Sequence, residues 1–130
     1  LRTQDGLQTK LLEKASNLSG GQCQRLVIAR ALLRETESSV FIFDEAASNI
    51  DVESEELIME VIHELARTKT VLLISHRLAN VVKSDQIYFL KDGEIVERGK
   101  HEELMQQKGA YSHLYESQMA LENYGKEGNA

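Results

Sequence analysis

The chain has 130 residues, of which 42% are hydrophobic and 28% are charged, a balance that suits one compact domain with a core. Its net charge of −6 makes nucleic acid and anionic lipid poor electrostatic partners. A single cysteine excludes an intrachain disulfide and favours a reducing compartment. The strongly apolar runs have four residues, as in Val40–Phe43, whereas a membrane span needs about 20, so neither a span nor a signal peptide is expected.

The first helix signal begins at Ser19. Residues 1–17 are polar and weakly periodic, which predicts a loop with a helical fragment. Ser19 is a favourable N-cap, and Gln22 completes a capping-box pattern three residues later. Apolar residues then recur at mixed helical spacing, which predicts a helix that runs to about Arg34.

The next segment has the pattern of a βαβ unit. Val40–Phe43 is an apolar, β-favouring run that ends in two acids, and it predicts a buried, parallel strand. Asp51 can cap the following helix, whose first turns are acidic. One apolar stripe lines that helix, formed by Leu57, Ile58, Val61, Ile62 and Leu65. Val71–Ser75 predicts a second buried strand, so the order of elements indicates a crossover on a parallel sheet.

The last part of the chain predicts a hairpin and a helix, and the fold class as a whole is α/β. Asp92-Gly93 is a strong turn signal, and it is flanked by the predicted strands Gln86–Leu90 and Glu94–Arg98. The tail from His101 to about Asn123 is predicted to be helical. Six side chains are expected to supply its apolar contacts: Leu104, Tyr111, Leu114, Tyr115, Met119 and Leu121.

Three places along the chain could carry chemistry, and the first is Leu18–Gln22. Two glycines allow a ligand to approach the backbone closely, and a helix N-terminus offers unpaired N–H groups at the positive end of a dipole. Together they favour a phosphate. The alternative is a flexible turn with a helix cap.

The second place is Asp44-Glu45, at the predicted carboxyl end of a parallel strand, where ligands of open α/β sheets bind. One carboxylate could hold Mg²⁺ directly or through water, and the other could accept or orient a proton of an attacking water. The alternative is a pair of strand-end acids in a solvated loop.

The third place is His76, which closes the second predicted strand. A histidine there could hydrogen-bond a terminal phosphate or the catalytic water. The alternative is a packed or capping histidine, which is the interpretation given to His63, His101 and His113.

These features occur in an order that resembles the ATP-binding cassette (ABC) proteins. Leu18–Gln22 resembles the signature motif of that family, and Val40–Glu45 resembles its Walker B strand with the catalytic glutamate. Ala47–Asp51 is similar to the D-loop, and Ser75–Leu78 to the switch-histidine segment. The C-terminal Gly99–Leu104 pattern also matches, so five ordered motifs carry the resemblance, which extends from about residue 5 to residue 115.

Three segments resemble exporters in particular. Gly6–Glu13 is similar to the loop that lies against transmembrane coupling helices in exporter-type half-transporters, and both Ser75–Leu78 and the Gly99–Leu104 tail also favour exporters. The departures leave the catalytic groups in place: Asn49 and Ile50 replace the middle pair of the usual Ser-Ala-Leu-Asp, while Cys23 and Lys100 stand where other residues are usual.

No Gly-x-x-x-x-Gly-Lys-Ser/Thr sequence is present in the 130 residues, and residue 1 is not Met. The resemblance therefore implies the C-terminal half of a nucleotide-binding domain with a P-loop NTPase (RecA-like) core. Residues 1–35 would be a signature-bearing remnant of the helical subdomain, residues 36–100 the core with the hairpin, and residues 101–130 the C-terminal helices.

The resemblance also implies roles for single residues, because two such domains pair head to tail and enclose two ATP molecules. Glu45 would polarise the attacking water and His76 would assist it, while Asp44 would hold Mg²⁺ through water. Asp51 would couple the two sites. Four residues would bind the ATP of the partner domain: Ser19, Gly20, Gly21 and Gln22.

The function implied is ATP binding and hydrolysis in an ABC exporter at the cytoplasmic face of the membrane, with a second nucleotide-binding domain and transmembrane coupling helices as partners. Without a P-loop lysine, the isolated chain is expected to be inactive. Two alternatives stay open: a soluble ABC ATPase of the chromosome-maintenance or DNA-repair kind, and a non-catalytic dimerisation module. The negative charge disfavours the first, and the retained Glu45 and His76 disfavour the second.

Overall fold

The computed structural model describes residue 8, residues 10–13, residue 16 and residues 18–33 and 37–128. Most of the loop predicted over residues 1–17 lies outside these residues, as do residues 6, 7 and 9 of the segment similar to an exporter coupling loop. The chain divides into two compact units, residues 1–74 and residues 75–130.

The first unit contains a parallel βαβ motif, as the sequence predicts. Its elements are α1 (Gly20–Leu32), β1 (Val40–Asp44), α2 (Val52–Leu65) and β2 (Thr70–Ile74). The two strands pair in parallel, with Val40 opposite Thr70 and Asp44 opposite Ile74. Both strands therefore end at the same edge of the sheet, and the loops that follow them leave from that edge.

The core of the first unit lies on one face of this sheet. In β1 the side chains of Phe41 and Phe43 are buried, whereas Val40 and Ile42 are 57% and 65% exposed. The prediction of a buried strand is therefore confirmed for one face of β1 only, because side chains of a strand alternate and the described residues cover one face. Leu72 and Ile74 of β2 are exposed in the same way.

The apolar face of α2 differs from the predicted stripe by one exchange. Ile58, Ile62 and Leu65 are buried, but Leu57 is 43% exposed and Met59 is buried in its place. At 100° per residue, Met59 lies closer than Leu57 to the line through Ile58 and Ile62, so the helix turns Met59 toward the sheet.

The second unit contains the predicted hairpin. It begins with a 3₁₀ turn over Leu78–Asn80, followed by β3 (Ile87–Lys91) and β4 (Glu94–Gly99), which pair antiparallel. Asp92 and Gly93 form the two-residue loop, with φ of 52° and 82°. Both values are positive, as a type I′ turn requires, and this is the geometry that Asp-Gly favours.

The predicted C-terminal helix is in fact two helices, α3 (His101–Gln107) and α4 (Ala110–Glu127). Lys108 breaks the helix with a φ of 53°. The Glu97 carboxylate of β4 then caps α4, since its Oε2 accepts a hydrogen bond of 2.8 Å from the backbone N–H of Tyr111. A Cβ on Gly109 would collide with that carboxylate, so a glycine is needed there.

The apolar contacts of this region are predicted only in part. Leu104 and Tyr111 are fully buried, but Leu114 and Leu121 are 40% and 73% exposed. Among the described residues, no helix is both long enough and apolar enough to span a bilayer.

Candidate functional site

The signature-like loop owes its shape to the start of α1. Ser19 is the N-cap, and its Oγ accepts a hydrogen bond of 3.1 Å from the backbone N–H of Gln22. The Gln22 side chain accepts in return from the Ser19 N–H at 2.9 Å. This confirms the predicted capping box, and helix geometry leaves the N–H groups of Gly20 and Gly21 without intrahelical acceptors.

The two glycines of this loop have different surroundings. A Cβ on Gly21 would lie 2.7 Å from the Oγ of Ser54 and 3.2 Å from a carboxylate oxygen of Asp51, so Gly21 is needed for the close packing of α1 against α2. Among the described residues, a Cβ on Gly20 would meet no atom nearer than 3.8 Å. Gly20 is therefore the glycine that a ligand could approach, and the packing role of Gly21 is one that the sequence did not reveal.

The D-loop-like segment lies beside this glycine pair. The nearest atoms to a Cβ on Gly20 would be the carbonyl oxygen of Asn49 and the Cγ2 of Ile50, each at 3.8 Å. Asn49 has a φ of 56°. Asparagine adopts this left-handed conformation more readily than alanine does, so the departure of Asn49 from the usual family pattern suits the backbone here.

Asp51 caps α2, as predicted. Its Oδ2 accepts a hydrogen bond of 2.9 Å from the backbone N–H of Ser54, whose side chain is buried. This N–H, followed by the Ser54 hydroxyl, lowers the pKa of the Asp51 carboxyl, and therefore favours its ionised form. The starts of α1 and α2 thus lie side by side, each with a capping side chain.

The two acids of the Walker B-like motif follow different backbone paths. Asp44 is the last residue of β1 and is exposed. Glu45 is half-buried and has a φ of 52°, a strained value for a residue with a side chain. Its N–H donates to the carbonyl oxygen of Ile74 at 2.9 Å, and its own carbonyl oxygen accepts from the N–H of Ser48 at 3.1 Å. Both acids therefore lie at the carboxyl edge of the parallel pair.

The two carboxylates fit a magnesium ion that arrives with a nucleotide. In the described part of the chain, no three His, Cys, Asp or Glu side chains form a group that could hold a metal ion alone. Magnesium bound to a nucleotide takes one or two carboxylates, together with phosphate oxygens and water. Asp44 is a carboxylate of this kind, exposed at the end of β1, whereas the neighbouring Glu45 is the acid that the resemblance assigns to the attacking water.

The switch-histidine segment belongs to the second unit. His76 is exposed and lies two residues beyond the end of β2. The Ser75 hydroxyl accepts a hydrogen bond of 3.1 Å from the N–H of Arg77, which forms a tight turn around His76. Gln118 and Glu122 of α4 also contact this segment. Because they lie 40 to 45 positions away in the chain, the sequence contained no signal by which they could have been found.

One protein-family model matches part of the chain. The model described as "ABC transporter" matches residues 1–48. Together with the signature-like cap, the strand-end acids and the relatives described next, this match supports a fragment of an exporter-type ABC nucleotide-binding domain.

Particular relatives match nearly the whole chain. An uncharacterised ABC transporter ATP-binding protein of Haemophilus influenzae is 49% identical over all 130 residues. ATP-dependent lipid A-core flippases of Vibrio vulnificus and Mannheimia succiniciproducens are 49% and 50% identical over 90% and 88% of the chain. A solved bacterial Atm1-family ABC exporter with ATP bound matches 90% of the chain with a TM-score of 0.79 and 33% identity.

These relatives are much longer than the chain. It spans 23% of the Haemophilus protein, 20% and 19% of the two flippases, and 20% of the solved exporter chain. The α/β fold class predicted from the sequence is confirmed by the structural match and by the βαβ unit.

Proposed function

We propose that the chain is an ATP-binding and ATP-hydrolysing part of an ABC exporter. The observation that carries the proposal is the packing of the signature-like loop against the D-loop-like segment. Gly20 follows the N-cap Ser19 in this loop, and the space beside it is large enough for a ligand to approach. The start of α1, whose cap Ser19 is uncharged, favours an anion, because the helix presents its first N–H groups and the positive end of its dipole there. The relatives named as ATP-dependent flippases support the same function.

The acids at the strand edge would serve the ATP of their own domain. Magnesium bound to the phosphates would neutralise part of their charge. Asp44 would hold that ion through water, and Glu45 would polarise the attacking water, a contribution of about 10²–10⁴-fold in rate. His76 would donate a hydrogen bond to the terminal phosphate or orient the same water.

The signature-like loop would serve the ATP of a partner domain. The N–H groups at the start of α1 and the Ser19 hydroxyl would face the terminal phosphate of that ATP, with Gln22 fixing the loop from within. Asp51, beside the loop, would couple the two sites. A second nucleotide-binding domain, identical or related, would then be required.

The division of the chain follows the same proposal. Residues 1–35 would belong to a helical subdomain, residues 36–100 to the catalytic core, and residues 101–130 to C-terminal helices. Transmembrane coupling helices would be the other partner, and the domain would work at the cytoplasmic face of the membrane. The 130-residue chain alone, with no P-loop sequence, should bind Mg-ATP more weakly than about 100 μM in titration calorimetry and hydrolyse none.

The test is Glu45→Gln in the full-length exporter subunit that this proposal implies. Turnover should fall by about 10²-fold or more, since an amide cannot accept the proton of water, while an ATP-bound dimer should persist on gel filtration. Glu53→Gln, in the exposed first turn of α2, is the matched control and should hydrolyse ATP normally. Undiminished hydrolysis by Glu45→Gln would overturn the assignment of Glu45.

A further inference from the structure

The side chain of Gln118, on α4, bridges the backbone on both sides of Arg77. Its Nε2 donates a hydrogen bond of 2.8 Å to the carbonyl oxygen of His76. Its Oε1 accepts a hydrogen bond of 2.9 Å from the N–H of Leu78. One amide group thus holds a carbonyl and an N–H of the same short segment, since the Gln118 NH₂ donates while its carbonyl oxygen accepts.

A second link from α4 reaches the same segment. The guanidinium of Arg77 lies 2.7 Å from the carboxylate of Glu122, one helical turn beyond Gln118. Both side chains of this ion pair are more than a third exposed, so it contributes less than the amide contacts, which fix the backbone directly. The exposed imidazole of His76 therefore projects from a backbone that α4 holds in place.

The helix that supplies Gln118 is itself anchored. Tyr111, in its first turn, is fully buried and forms a hydrogen bond of 2.8 Å with His101 Nδ1. The Glu97 carboxylate caps the start of the helix. The 3₁₀ turn after the histidine is also fixed, since Leu78 is 5% exposed. Gln118 thus connects two anchored elements, α4 and the 3₁₀ turn, and it also holds the backbone of His76, two residues before Leu78.

We propose that Gln118 is a positioning residue for His76, a role that rests on the proposed function of His76 in ATP hydrolysis. Gln118 does not touch the reacting atoms. It sets the position of the His76 backbone, and thereby the distance from the imidazole to the phosphate or water that it serves. A displacement of about 1 Å at a catalytic group can cost about 10²-fold in rate, so loss of both contacts should lower kcat by about 10-fold to 10²-fold.

Two replacements of Gln118 separate its contacts, in the full-length exporter subunit. Gln118→Met keeps the length of the side chain and removes both hydrogen bonds, so kcat should fall and the KM for ATP should change little. Gln118→Glu keeps an acceptor for the Leu78 N–H but places a carboxylate against the His76 carbonyl, and should not restore kcat. Glu116→Gln, on the exposed side of α4, is the matched control and should hydrolyse ATP at the normal rate.

The double variant with His76→Ala shows through which residue Gln118 acts. If Gln118 acts through His76, adding Gln118→Met to His76→Ala should lower kcat no further. An equal loss of kcat in both backgrounds, together with a lower thermal midpoint, would mean that Gln118 only stabilises the fold, and would overturn the proposal.

Hydrogen exchange gives a readout that does not need turnover. In Gln118→Met, the peptide that covers residues 75–80 should exchange faster while residues 110–115 keep their protection. Faster exchange along the whole of α4 would overturn the positioning role. If His76→Ala turns over normally, the function proposed for His76 fails and the inference falls with it. If His76→Ala is impaired but Gln118→Met is not, the inference alone fails.

Discussion

The loops that carry the candidate residues are held in place by two different means. In the first unit, Ser19 and Asp51 each cap a helix through a residue three positions away in the chain. In the second unit, the His76 segment is held by Gln118, whose two hydrogen bonds join residues 40 and 42 positions apart. The first two loops are shaped by the helices that they begin, whereas the histidine segment depends on the docking of a distant helix.

The local caps and the long-range contacts of Gln118 contribute differently to stability. A cap such as that of Ser19 forms together with its own helix and typically contributes about 1 kcal/mol. The contacts of Gln118 exist only when the chain between them has closed into a loop, which costs conformational entropy that the packing of α4 must offset. The position of His76 should therefore be sensitive to the core of the second unit.

Replacing Tyr111 tests that sensitivity and should have the largest effect. Tyr111→Ala removes a fully buried ring that contacts the rings of Phe89 and His101, so unfolding of the 130-residue chain should become easier by about 3–5 kcal/mol. The backbone amide of Leu78 should also exchange faster with solvent, because α4 carries Gln118. Urea unfolding and amide exchange measure the two effects.

Tyr111→Phe is the control for this prediction. Burial, with a smaller effect from Tyr115, raises the pKa of Tyr111 to about 12, so its hydroxyl is neutral at ordinary pH and shares a hydrogen bond with His101. Losing that bond alone should cost about 0.5–1.5 kcal/mol. If Tyr111→Ala left the exchange of Leu78 unchanged, the docking of α4 would not be what holds the histidine segment.

Replacing Gly21 tests the packing of α1 against α2 in the first unit, and its expected effect is smaller. In Gly21→Ala the new methyl group would lie 2.7 Å from the Oγ of Ser54, and the overlap should destabilise the chain by about 1–3 kcal/mol. Gly20→Ala is the matched control, since its methyl group would meet no atom of the described part of the chain nearer than 3.8 Å. Urea midpoints of the two variants should differ clearly. Equal midpoints would mean that α1 and α2 can separate at no cost.

Much of the fold could be predicted because its signals are local. Two short apolar runs on either side of a helical stripe predicted the βαβ unit, and Asp92-Gly93 predicted the hairpin turn. The break between α3 and α4 was missed, because it depends on the Glu97 carboxylate of another element occupying the space beside Gly109. A helical pattern in the sequence contains no information about such a contact.

The candidate site shows the same limit. The capping role of Ser19 was predictable from its spacing to Gln22. The packing role of Gly21 depends on the approach of α2, and the role of Gln118 depends on the docking of α4. In one sequence, a glutamine on an amphipathic helix is indistinguishable from any other polar residue. Only its two hydrogen bonds to the backbone of His76 and Leu78 distinguish Gln118 from other polar residues of the helix, and these exist only in the folded structure.

The smallest expected effect concerns pH and the cap of α2. Hydrogen bonds from the Ser54 N–H and hydroxyl lower the folded-state pKa of Asp51 below its ordinary value of 3.8. The stability that its charge contributes is therefore present above that value and is lost as the pH falls through the lowered folded-state pKa. Urea midpoints of wild type and Asp51→Asn should differ by a constant amount from pH 7 to about pH 5, and should converge below about pH 4.

Ser19→Ala, which removes an uncharged cap, should differ from wild type by about 1 kcal/mol at every pH. A difference for Asp51→Asn that stayed constant down to pH 2.5 would mean that its carboxylate caps α2 by shape alone, and that the two local caps work in the same way.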